Sequence, residues 1–156
     1  MTGQDQWDES AQDGQAERDA VLDAEVYDWY QRGLQLYEDG NPAAASQLLV
    51  RAAGRVPKSR SVLEALARAQ FDAEQYQDAA GSFRTLSEVS PDDDYAQFGW
   101  GLAAARLGDF DLAVEHLALA ASMRPDVRYY SQALRGARAT ARSSKSAAHR
   151  SAERDK

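Results

Sequence analysis

The stretch Gly99-Trp100-Gly101-Leu102-Ala103-Ala104 has the glycine spacing of a dinucleotide-binding turn, and it is the first local pattern here that could do chemistry. Such a turn needs a strand before its first glycine and a helix opening after it, so that backbone amides can approach a pyrophosphate. Here the surrounding apolar residues recur at helical spacing on both sides, and the match reads as coincidence. Asp92, Asp93 and Asp94 could hold a cation weakly, but a run of acids is also what the start of a helix favours. His116 and His149 have no partner at ligand or triad spacing. No phosphate-cradling glycine loop with a following lysine occurs, nor any paired-histidine zinc motif. With no cysteine, thiolate chemistry is excluded as well. The expectation is a chain that is not an enzyme, with no catalytic residue, no metal and no cofactor.

The elements that would carry these residues repeat. Pro57, Pro91 and Pro125 stand at a constant step of 34 residues, as do Ala45, Ala79 and Ala113. The same step links Gly33, Ala67 and Gly101, all small, and Leu49, Phe83 and Leu117, all apolar. A fixed period in this range marks stacked supersecondary units. Within a unit the apolar spacing is helical: Leu63, Leu66 and Ala67 share one face, and Ala79, Phe83 and Leu86 share another. Gly40-Asn41-Pro42 and Gly108-Asp109 separate the two helices, with Asn41 at an N-cap and Pro42 at the first helical position. Each proline of the triplet stops a second helix, because it lacks the amide donor and clashes with the preceding turn.

These residues resemble the tetratricopeptide repeat (TPR), whose 34-residue pattern runs W-x2-L-G-x2-Y, then A-x3-F, then P. The first unit carries Trp29, Gly33, Ala45, Leu49 and Pro57. The second carries Leu63, Leu66, Ala67, Tyr76, Ala79, Phe83 and Pro91, and the third Trp100, Gly101, Gly108, Phe110, Ala113, Leu117 and Pro125. Arg32 departs from the pattern's leucine, Gln97 from its tryptophan and Gln70 from its tyrosine. The resemblance implies an all-α solenoid of helix-turn-helix units over about 26–59, 60–93 and 94–127. A capping helix is expected over about 128–142, completing a domain of 19–142.

In this family the first helix of each unit lines a concave groove that takes a peptide or a helix. The matching positions are Tyr27, Tyr30, Leu34 and Tyr37, then Glu64, Arg68 and Phe71, then Tyr95, Phe98 and Leu102. Rings give large contact area for little lost rotamer freedom, so the expected partner is a protein or peptide that is apolar or bears aromatics. A branch of the family grips a C-terminal carboxylate with lysine, asparagine and arginine. Here Tyr30 and Leu34 replace the first two, and Phe98 and Gly99 stand near the place of the third, so that grip is not expected.

The tails are oppositely charged. Residues 1–25 hold eight acids against Arg18 alone, and residues 126–156 hold eight bases against Asp126, Glu153 and Asp155, within a chain of net charge −7. Residues 1–18 are expected to be disordered and 143–156 to form a flexible basic tail. The absence of an apolar leader or of a membrane-length apolar run points to a cytoplasmic protein. The leading expectation is therefore a scaffold or adaptor that holds a partner polypeptide. The alternatives are a nucleic-acid- or ribosome-associated accessory protein anchored by the basic tail, and a module that pairs with a second copy of itself.

Overall fold

A computed structural model describes residues 23–155 as seven α-helices, with no strand among the described residues. The expected acidic tail of residues 1–18 and the expected start of the domain at 19 lie outside the described residues. Helix α1 covers 23–38, α2 Pro42–Arg55, α3 Arg60–Asp72 and α4 Tyr76–Val89. They are followed by α5 Asp94–Arg106, α6 Phe110–Met123 and α7 Arg128–Arg154. Consecutive helices from α2 to α7 pack against each other, and α5 also meets α3 on one side and α7 on the other, so the first helices of successive units line one side of the stack.

The small residues at the 34-residue step sit where the two helices of a pair cross. A Cβ added at Gly33 would lie 2.6 Å from Leu49 Cγ, and one at Gly101 would lie 2.7 Å from Leu117 Cγ. Ala67 and Phe83 fill the same place in the second unit, both buried in one cluster with Leu63, Ala79 and Leu86. Close packing of this kind leaves no room for a methylene at the crossing.

Turn chemistry recurs with the same period. Gly40, Glu74 and Gly108 all have left-handed backbones, with φ of 80°, 60° and 82°. The next amide in each case, Asn41, Gln75 or Asp109, donates back to a carbonyl five residues earlier, a helix-ending loop that satisfies orphan acceptors. Asn41 occupies the N-cap of α2 as expected, but its side chain makes no cap hydrogen bond. Ser59, Asp93 and Asp109 do cap, accepting from the amides of Val62, Ala96 and Leu112. Asp93, the middle acid of the Asp92–Asp94 run, is buried and also accepts from Arg60 Nε at 3.1 Å, tying the cap of α5 to the first residue of α3.

The last helix departs from expectation. It runs on to Arg154 instead of ending near Arg142. After Gly136 it meets no glycine or proline, alanines supply good propensity, and Lys145 Nζ reaches Asp111 at 2.8 Å. Its first half packs as a first helix would in a fourth unit. Tyr130, Leu134, Ala137 and Ala141 are buried against α5 and α6, and the Tyr130 hydroxyl donates to Asp94 at 2.6 Å.

Candidate functional site

On the side lined by first helices, a depression of about 290 Å3, counted to its open mouth, lies between α1, α3 and α5. Six of the expected groove residues line it: Tyr37, Arg68, Phe71, Tyr95, Phe98 and Leu102. Asp72, Phe83 and Gly99 complete the lining. Leu34 and Glu64 lie outside it and are half-buried, while Tyr27 is 63% exposed. Tyr30 is also outside, half-buried on α1 against two clusters, one that includes Leu49 and Leu66 and one that includes Ala52 and Val62.

Polar groups fix the wall formed by α1 and α3. The Tyr37 hydroxyl donates to the Asp72 carboxylate, and the Arg68 guanidinium stands 5.2 Å from the Tyr37 ring centre. The hydrogen bond to Asp72, followed by burial, raises the Tyr37 hydroxyl above the ordinary tyrosine range. Burial pushes Tyr95 up to about 12, against the pull of the Arg68 charge. Both phenols therefore stay protonated at neutral pH and present hydroxyls rather than charges.

Rings continue the surface to either side. Phe71 meets Tyr76 edge-on at 5.2 Å, with the Arg106 guanidinium 5.5 Å from the Phe71 centre. Phe83 forms the floor, 5.9 Å from Tyr95, and Gly99 lets it approach: a Cβ there would lie 2.3 Å from the Phe83 ring. Phe98 packs 5.3 Å from Tyr129 and 4.6 Å from Tyr130 of α7. Tyr129, 54% exposed, was not among the expected residues, yet it stands 34 positions after Tyr95. That register was the signal for it in the sequence. Asp72 also had a signal, one turn beyond Arg68.

The motif that suggested a nucleotide lies wholly inside α5, with no strand before it. Its two glycines serve Phe83 and Leu117 packing instead. His116 is buried against the Trp100 ring at 3.7 Å, with Nδ1 2.8 Å from the Gln97 amide oxygen, so the hydrogen bond needs the proton on Nδ1. Burial lowers its pKa. Among the described residues no three metal-ligating side chains cluster, and no helix is long and apolar enough to cross a membrane.

A stacked array of helix pairs with a ring-lined side is the architecture of a helical-repeat protein. The family model for the tetratricopeptide repeat matches residues 30–80 and 64–128, and the chain belongs to that family. Comparison with curated proteins gives no significant match. Among solved structures, MamA of strain MSR-1 superposes with a TM-score of 0.67 at 22% identity, over 72% of this chain and 64% of that one. This chain thus spans under two-thirds of that MamA. The first TPR of Spaghetti (RPAP3), bound to the HSP90 peptide SRMEEVD, gives 0.67 at 14% identity over 73% and 90% of the two chains. The Yersinia enterocolitica type III secretion chaperone SycD, in complex with a peptide of the translocator YopD, gives 0.66 at 14% over 72% and 92%. At these identities the likeness is one of fold.

Proposed function

We propose that this chain is a non-enzymatic scaffold or adaptor whose first-helix side holds a partner polypeptide. The observation that carries the reading is the depression in which Tyr37, Arg68, Phe71, Tyr95, Phe98 and Leu102 converge from three units. Binding would bury an apolar or aromatic side chain of the partner on the Phe83 floor, with Arg68 and the two phenols orienting its backbone. Because helix packing already holds the rings, little ordering cost falls on the receptor side. Peptides held by the Spaghetti and SycD folds support the reading. Tyr27, Tyr30, Leu34 and Glu64 are assigned to the wider face around this centre, with Tyr30 acting through packing.

The partner is to be found by co-purification from the native host and then titrated against purified chain. Arg68→Glu combined with Leu102→Ala should weaken binding at least about tenfold, the loss expected when an anchor contact worth more than 1 kcal/mol is removed. Deleting residues 138–156 should leave it unchanged. The opposite pattern, with binding lost on tail deletion, falling steeply with salt and indifferent to the groove variant, would replace this reading with phosphate binding by the tail.

A further inference from the structure

Arg128, Arg135, Arg138, Arg142, Lys145 and His149 follow one another along α7 at steps of seven, three and four residues. That spacing places them in a single stripe about 32 Å long, at 1.5 Å per residue. All six are exposed, beside the buried stripe of Tyr130, Leu134, Ala137 and Ala141. The like charges of Arg135, Arg138, Arg142 and Lys145, three and four residues apart, weaken a helix taken alone, so helix stability does not account for the arrangement. Little inside the array answers it. Lys145 pairs with Asp111 and His149 with Glu153, whereas Arg128, Arg135, Arg138 and Arg142 have no carboxylate within ion-pair distance among the described residues. Asp126, the nearest acid in sequence, is held by Arg124 through two hydrogen bonds.

We propose that the occupant of this stripe is the chain's own N-terminal segment, residues 1–22. That segment carries Asp5, Asp8, Glu9, Asp13, Glu17 and Asp19 against Arg18 alone. It joins α1, at the far end of the stack from α7. Three steps between first helices at 8–10 Å each put the two ends about 30 Å apart. A 22-residue segment reaches up to about 70 Å when extended, so the span is within its length. The tether also supplies the acids at an effective concentration in the millimolar range, above that of an untethered polyanion. The stripe has no Phe, Tyr or Trp on which a nucleic-acid base could stack, which favours carboxylates over nucleotides.

The test uses the full chain. Since it contains no cysteine, Ser10→Cys accepts a single nitroxide label. In the labelled protein the backbone amides of α7 around Arg135 to Lys145 should lose most of their NMR intensity. They should recover it at about 0.5 M salt, where charge interactions are screened beyond a few ångströms. They should recover it equally in Arg135→Gln/Arg138→Gln/Arg142→Gln, whose changes are all on exposed positions. The loss should persist in a large excess of unlabelled chain. Loss that vanishes on that dilution assigns the stripe to a second copy and overturns the proposal, as does intensity loss that survives the triple substitution or is absent from the start. In parallel, removing residues 1–22 should raise affinity for an oligothymidylate probe about tenfold, by removing a tethered competitor. Equal affinity with and without the segment means the stripe was never covered, and the proposal fails.

Discussion

At Gly99 a single methyl group separates a packed unit boundary from a broken one. The Phe83 ring that it would strike is buried and forms the groove floor, so it cannot swing aside. Gly99→Ala should cost about 1–3 kcal/mol in urea unfolding. Gly136→Ala, in a helix with nothing within 4 Å, should stabilise by about 0.5–1 kcal/mol. Equal effects at the two sites would contradict the packing described here. His116 gives a pH signature. Burial holds its folded pKa below the unfolded value of about 6.5, so both states are neutral above that point and the imidazole adds no slope. As pH falls through 6.5 the unfolded chain takes the proton first, and stability declines. His116→Gln should flatten the decline measured by urea titration between about pH 7.5 and 5. The pattern departures also find their reason at this scale. Gln97, in the tryptophan place, faces His116, and Gln70, in the tyrosine place, accepts from the Ser82 hydroxyl at 2.6 Å. Neither pairing was legible beforehand, because each joins positions on different helices with no fixed spacing between them.

Helix boundaries in the paired units were legible because prolines and glycines act locally. Glu74 was the exception. It occupies the left-handed position taken by Gly40 and Gly108, and an L side chain there costs about 1 kcal/mol. Glu74→Gly should therefore raise the unfolding free energy by about 0.5–1 kcal/mol, whereas Gly108→Ala should lower it; chemical denaturation of the two variants checks both. The length of α7 was not legible for a related reason. Its start carried the 34-residue register, but its end carried no breaker, only a change to polar composition. Composition signals solvent exposure, and an exposed helix and an exposed coil share it.

For the whole molecule the repeat period was the decisive signal, since one unit cannot bury its own faces and the stack follows once the period is seen. The centre of the groove was legible through the same register, which brings together Tyr37, Arg68, Phe71, Tyr95, Phe98 and Leu102. Its edges were not. Whether Tyr30 turns inward or Tyr129 joins Phe98 depends on how neighbouring units are set against each other. The stack also needs its last helix. A chain ending at Asp126 would uncover Phe98, Leu102 and Leu117 and should aggregate or bind an apolar dye in size-exclusion and fluorescence assays. One ending at Arg142 keeps Tyr130, Leu134, Ala137 and Ala141, and should melt within a few degrees of the full chain.

Tyr27, Ser61, Tyr95 and Tyr129 share one register on successive first helices, and such helices stand about 8–10 Å apart. The molecule is thereby a ruler with a fixed graduation. A visiting chain in the polyproline II form turns the same side to the surface every three residues, about 9.3 Å, and stays in phase along the array. A β-strand does so every two residues, about 6.8 Å, and drifts out of step after one graduation.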